Sequence, residues 1–215
     1  ILNYTVTSNH IHLLVKDAGS TADIPALIQL VAGRTGQEYN KRKNRKGAYW
    51  EDRYHATAIE SGFHLRRCLT YIDLNMVRVG VVNHPGEWAH GGYHEIRGGK
   101  RRNRIIDLDA LMDALELDNM DALRTSHGEW IAEALSSKPP RREEAWSRSI
   151  AVGSEGYVRK VLGLLGAKGR GPAVAVTDSA FVLREALAGY GADSKAENRS
   201  IAPKNTHFWS EFPVI

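Results

Sequence analysis

Cysteine is nearly absent, and no long apolar run occurs; both absences narrow what this chain can be. Cys68 is the one cysteine in 215 residues. An intramolecular disulfide and a thiolate zinc cluster are therefore excluded, and the composition suits a reducing cytoplasm. No stretch approaches the roughly 20 apolar residues that a membrane-spanning helix needs, so no membrane partner is expected. The glycine-rich segment GAKGRGPAVAV at 166–176 is not followed by Gly-Lys-Ser/Thr, so it is no nucleotide-binding P-loop. No internal repeat is present. The sequence opens with neither Met nor a secretory signal, in what already reads as strand, so a fragment or a chain lacking its natural start is expected.

The charge is unevenly spread. The net charge is +4, yet residues 1–104 hold 16 Lys and Arg against 9 Asp and Glu, an excess of +7 that leaves −3 for residues 105–215. A basic half beside an acidic half suits contact with a polyanion; a solvated basic surface would give the same count.

Residues 1–16 read as a strand. Tyr4 and Val6 alternate with polar neighbours, and Ile11, Leu13 and Val15 continue on one side. Side chains repeat every two residues along a strand, so His10 and His12 in SNHIHLLV become neighbours on the other face. Ser20 is the expected cap of a helix carrying Ile24, Leu27, Ile28 and Val31, with Gly33 and Gly36 weakening its later turns. A basic run follows: Lys41, Arg42, Lys43, Arg45 and Lys46, with Tyr49, Trp50, Arg53 and Tyr54 close behind. Cations neutralise phosphate and rings stack on bases, so the stretch suits nucleic acid; aromatics anchoring a short strand at 57–59 is the alternative.

Ser61 is the expected cap of a helix over 62–79. Leu65, Leu69, Ile72 and Met76 form its apolar stripe, with Cys68, Tyr71, Asn75 and Arg78 on the neighbouring one. Tyr71 and Asn75, four apart, project from one face. Gly80 ends this helix and Pro85-Gly86 turns the chain. The Gly/Arg-rich joint RGGKRRNR divides a domain over 1–96 from a mainly helical region over 105–215, with 97–104 as linker. Within that region Asp107 or Asp109 is expected to cap a helix, another is expected over 130–135, and Ser154 is expected to cap a third. SSKPPRREE reads as linker, and AENRSIAPKNTHFW as loop.

Two histidines on one strand face can chelate a divalent ion, but they need a third ligand. Hydrogen-bonded strand histidines would leave the same trace. The order of segments says more. SNHIHLLV, YWEDRY and YIDLNMVRVGVV together resemble the single-tyrosine HUH transposases (the IS200-like transposases), in particular their REP-associated tyrosine transposase branch. That family carries a strand written PNHxHLLV and, about sixty residues later, a helix reading roughly YIxxNPVRAGLV; here His12 and Tyr71 are 59 residues apart. The resemblance covers residues 1 to about 95. Ser8 and Met76 stand where the family has proline, and a strand and helix that precede the family's histidine strand have no counterpart in the sequence.

The resemblance implies a ferredoxin-like α+β fold, an antiparallel sheet with helices on one face. It implies His10 and His12 as metal ligands, Asn75 as the third ligand and Tyr71 as the nucleophile. It further implies Mg2+ or Mn2+, cleavage and rejoining of single-stranded or hairpin DNA through a 5′-phosphotyrosine, recognition of short palindromic (REP) hairpins, and a bacterial, nucleoid-associated setting as monomer or homodimer. Elementary chemistry agrees. A phenol ionises near pH ~10 and needs help to attack at neutral pH. A metal neutralises charge building on the scissile phosphate, and a phosphotyrosine stores the bond energy for rejoining. Lys41, Arg42, Lys43, Arg45, Lys46, Arg53, Arg66, Arg67 and Arg78 are candidate phosphate contacts, Trp50 and Tyr54 candidate stacking platforms. His55, His64, His84, His90 and His94 read as solvent or hydrogen-bonding histidines. There are two rivals: a metal-dependent hydrolase, whose barrel form needs about 250 residues and repeated βα units, neither of which this sequence shows, and a non-catalytic, domesticated or truncated DNA-hairpin binder.

Overall fold

The computed structural model describes residues 1–17, 19, 22–51, 53–98, 103–136, 142–165, 173–177 and 180–184, and the backbone of 212–214. The expected cap Ser20 and the loop at 196–209 lie outside these residues, as does part of the joint and of both glycine-rich and proline-rich linkers.

The strand expected over 1–16 is two strands. β1 (Asn3–Val6) and β2 (Ile11–Leu14) pair as an antiparallel hairpin, with Asn3 opposite Leu14 and Thr5 opposite His12. Residues 7–10 turn because Thr7 folds its hydroxyl back: its Oγ1 accepts the His10 amide at 3.0 Å and donates to the His10 carbonyl at 2.9 Å. Ser8 and Asn9 supply the short polar side chains that turns favour. On its other edge β1 meets residues 90–92: Val6 N–H donates to His90 O at 2.8 Å and Gly92 N–H to Tyr4 O at 2.8 Å. A Cβ at Gly92 would stand 2.2 Å from Asn3 Oδ1, so only glycine lets this segment approach β1.

α1 (Asp23–Arg42) runs through Gly33 and Gly36 despite their low propensity. Gly36 is buried where Tyr49 and Trp50 cross the helix. β3 (Ala56–Ile59) follows. The helix expected over 62–79 is α2 (Phe63–Asp73) and α3 (Asn75–Arg78), with helical hydrogen bonds carried across Leu74. Its N-cap is Gly62 at φ +70 rather than Ser61, and no side chain caps it. Leu65, Leu69 and Ile72 are fully buried, and Met76 nearly so, as their stripe requires. Gly80, at φ +73, ends the helix.

After α4 (Tyr93–Ile96), Asp107 caps α5 (Leu108–Ala114) by accepting the Ala110 amide at 3.0 Å. α6 (Met120–Ser136) is longer than the 130–135 expected. α7 (Ala145–Arg148), β4 (Ala151–Gly153) and α8 (Glu155–Leu165) follow, α8 with Ser154 Oγ accepting the Tyr157 amide at 3.3 Å. β5 (Ala173–Thr177), β6 (Ala180–Arg184) and β7 (Phe212–Val214) complete the described elements. The region beyond 105 therefore contributes strands as well as the expected helices.

The class is α+β. The first sheet is the antiparallel hairpin. The second is mixed, in the order β5-β6-β4-β3-β7: β3 runs parallel to β4 and β7, whereas β6 is antiparallel to β4 and β5. An all-antiparallel sheet was expected; the parallel pairs arise because β4 and β7 reach β3 after long excursions of chain. One hydrophobic core joins Leu2, Leu14, Ile59, Leu65 and Ile72 to Leu111, Leu123, Trp146, Val152 and Val182. No helix among the described residues is long and apolar enough to cross a membrane.

Candidate metal and nucleophile site

The hairpin turn and the end of α2 converge on one cluster. His10 closes the turn, and His12 lies on β2 facing α2. Their ring centroids are 4.8 Å apart at 89°. His10 Nδ1 lies 3.0 Å from Thr7 Oγ1 and 2.9 Å from Asn9 Oδ1. With Asn9 Oδ1 as the acceptor and the Thr7 hydroxyl proton given to the His10 carbonyl, both contacts suit the tautomer with the proton on Nδ1 and the lone pair on Nε2. Such orientation from outside the ligand shell is what metal-binding histidines need.

His12 is 2% exposed, and its Nε2 stands 2.7 Å from Nδ2 of Asn75, itself 5% exposed. Turning the Asn75 carboxamide over exchanges Nδ2 for Oδ1 with no other atom moved. The amide oxygen would then stand 2.7 Å from His12 Nε2, with the His10 ring 4.8 Å from that of His12. That donor set fits Mn2+ or Mg2+, which accept mixed nitrogen and oxygen ligands and retain sites for water and phosphate. Among the described residues no group of three His, Cys, Asp or Glu forms a metal site; a third ligand beside the two histidines would have to be the amide of Asn75.

Tyr71 borders the same cluster. Its ring lies 6.3 Å from that of His12, at 85°. Arg78, one helical turn beyond Asn75, places its guanidinium 3.8 Å from the Tyr71 ring centroid, and its Nη1 donates to the Tyr71 carbonyl at 2.9 Å. That is a cation–π contact of close geometry. Tyr71 is 6% exposed. Cys68, one turn earlier on the same stripe, is held as the neutral thiol: burial pushes its pKa well up, and Glu143 and Asp73 add to the rise.

The end of α2 is tied to β1 by polar side chains that sequence reading did not single out. Asp73 accepts from Asn3 Nδ2 at 3.0 Å and from His127 Nε2 of α6 at 2.7 Å. Thr5 Oγ1 donates to the Ile72 carbonyl at 3.0 Å. All are buried. A charged Asp73 between apolar Ile72 and Leu74 was the one visible signal; its partners are too distant in sequence to be read there.

The basic run stands elsewhere. Lys41, Arg42, Lys43, Arg45 and Lys46 are exposed at the end of α1 and in the turn after it. Arg42 pairs with Glu38 at 3.0 Å, and Arg45 donates to the Ala48 carbonyl at 3.0 Å. Arg53 is exposed too. Trp50 Nε1 donates to the Ala32 carbonyl at 2.8 Å, and both Trp50 and Tyr54 pack on the core. Their rings anchor the loop to α1 and the core. Arg66 and Arg67 pair with Glu133 at 3.5 Å and Glu143 at 2.7 Å. Of the cations named from sequence, Arg78 is the one that meets the cluster.

No curated protein and no solved structure matches the chain. Residues 1–75 match the family model described as Transposase IS200 like. That stretch contains His10, His12, Tyr71 and Asn75, and over it the chain is similar to IS200-like transposases.

Proposed function

We propose that this chain is a metal-dependent tyrosine transposase that cuts and rejoins single-stranded, hairpin-associated DNA, REP-type palindromes included. The carrying observation is the junction of His12 with Asn75 at 2.7 Å beside the Tyr71 ring, between residues more than fifty positions apart. His10, His12 and Asn75 would hold Mg2+ or Mn2+, which when bound polarises the scissile phosphate and neutralises charge on its oxygens. The phenol oxygen of Tyr71 attacks phosphorus and its proton leaves to solvent. The bond to the 3′ oxygen breaks, and that oxygen leaves as a 3′-hydroxyl after taking a proton. The product is a 5′-phosphotyrosine, and a 3′-hydroxyl attacking it reverses the balance and frees Tyr71. Arg78 supplies a fixed positive charge beside the phenol, where the incoming phosphate brings negative charge. Exposed Lys41, Lys43, Lys46 and Arg53 suit backbone phosphates outside the cluster.

One observation favours a second reading. Tyr71 is covered by Arg78 and scarcely exposed, as a non-catalytic hairpin binder would permit. Incubating the chain with a labelled hairpin oligonucleotide and Mn2+ separates the two. The transposase reading expects a covalent adduct on a denaturing gel, lost with EDTA and with Tyr71→Phe, and lowered at least about 100-fold by His12→Ala. A hairpin shifted on a native gel without any adduct supports the binder and sinks the transposase.

A further inference from the structure

The segment 142–149 lies outside the matched stretch, yet it reaches Tyr71. α7 has only four residues and cannot be stable by its own hydrogen bonds; its side chains must hold it. Trp146 is 1% exposed. Its Nε1 donates to Glu143 Oε2 at 3.2 Å, and the same oxygen accepts from Arg67 Nη2 at 2.7 Å. The Arg67 guanidinium stands 5.7 Å from the indole. Thr57 Oγ1 on β3 donates to the Ser149 carbonyl at 2.6 Å. Held in this way, the indole packs on the Tyr71 ring, with centroids 6.2 Å apart and planes tilted by 44°. That is within the range of specific aromatic pairing. Arg67 and Tyr71 are four apart on α2, so the ion pair and the ring contact bear on one helix face.

We infer that Trp146, locked by Glu143 and Arg67, is a positioning residue that fixes the ring of the nucleophile Tyr71. The inference rests on the proposed transposase reading. A tyrosine moves its hydroxyl by several ångströms through one side-chain torsion. Trp146 and Arg78 both contact the ring and restrict that swing, so the phenol oxygen is presented in one place. Removing the indole removes one of these two contacts on the ring. DNA binding should be indifferent to this change, because Trp146 is buried. The attack should not be, because a misplacement of about 1 Å costs about 100-fold in rate.

The test uses the full chain, the labelled hairpin and Mn2+, and follows three quantities: the adduct rate at saturating DNA, the hairpin Kd and the melting temperature. Trp146→Leu is expected to lower the saturating rate by about 10- to 100-fold while Kd stays within about twofold. Trp146→Phe, which restores a ring, is expected to recover most of the rate. An undiminished rate in Trp146→Leu overturns the inference. So does a rate that falls only in proportion to the folded fraction. Should Trp146→Leu fail to fold, Glu143→Gln keeps the indole and removes its charged brace; a several-fold loss of rate at unchanged Kd is then expected, and no loss overturns the inference. A wild-type chain that binds the hairpin but forms no adduct overturns the nucleophile reading and this inference with it. A wild-type adduct beside an unimpaired Trp146→Leu overturns the inference alone.

Discussion

His64 stands at the start of α2, half-buried, with Glu60 and Arg67 as its charged neighbours. Burial lowers its pKa below 6.5; Glu60, whose carboxylate is 3.7 Å away, pulls it up, and Arg67 pushes it down. Its Nδ1 is buried without a hydrogen-bond partner, so a proton there would be unsatisfied. The unfolded chain therefore binds more protons than the native one as pH falls below 6.5. Stability from this group is fully present above that pH and is lost as pH falls toward the lower, folded value. Melting curves at pH 7.5 and 5.5 should show a smaller acid loss in His64→Gln than in the wild type; equal losses would assign the effect to other groups. This residue was read from sequence as a solvent or hydrogen-bonding histidine, because nothing local reveals burial. His10, His12, Tyr71 and Asn75 were easier to single out, since they lie in two short motifs and the structure brings His12 to both Asn75 and Tyr71. Trp146 and Asp73 were not legible as parts of the site, since each acts through side chains more than fifty positions away.

The hairpin of β1 and β2 shows how a correct period can hide a wrong element. Alternation of polar and apolar residues continues through residues 1–16, so one strand was expected. Both faces of the hairpin are in fact covered, Leu13 and Val15 on one and His12 and Leu14 on the other. The break came from side-chain chemistry, the return of Thr7 Oγ1 to the backbone of His10. Thr7→Val keeps the shape and removes both of those bonds and the contact with His10 Nδ1. Two partly buried hydrogen bonds are worth about 1–2 kcal/mol together, and urea denaturation is expected to show a loss of that size. Mn2+ affinity, followed by calorimetry, is expected to fall about tenfold in the same variant, as for other losses of an orienting partner. An intact affinity would mean that Asn9 alone orients His10. α2 was legible for the opposite reason: its apolar stripe has helical spacing, and only its cap, Gly62 in place of Ser61, depended on a backbone conformation that sequence does not state.

The strand β3 sets the architecture of the whole molecule. Its hydrogen-bonded neighbours among the described residues are β4 and β7, and both lie beyond residue 150. A charge shift and a glycine-rich joint suggested a boundary near 97–104, but side chains from both halves share one core. Leu111 and Leu123 pack there with Leu2 and Leu65, and His127 reaches Asp73. Without residues 105–215, β3 would have no strand beside it, and the first sheet would be a lone two-stranded hairpin, which is marginal in water. Leu65, Leu69 and Ile59 would lose part of their cover, at roughly 25 cal/mol for each Å2 of apolar surface returned to water. The full chain is therefore expected to unfold in one cooperative step, with circular dichroism and tryptophan fluorescence tracing the same urea transition. A chain ending at residue 104 is expected to show no cooperative transition at all. Two separated transitions in the full chain, or a sharp one in the shortened chain, would mean that the first half carries its own core and that the clamp on Tyr71 joins two independent bodies. One shared transition would make the position of the Tyr71 ring depend on the folding of the entire molecule, since its contact with Trp146 would then form and dissolve with the whole fold.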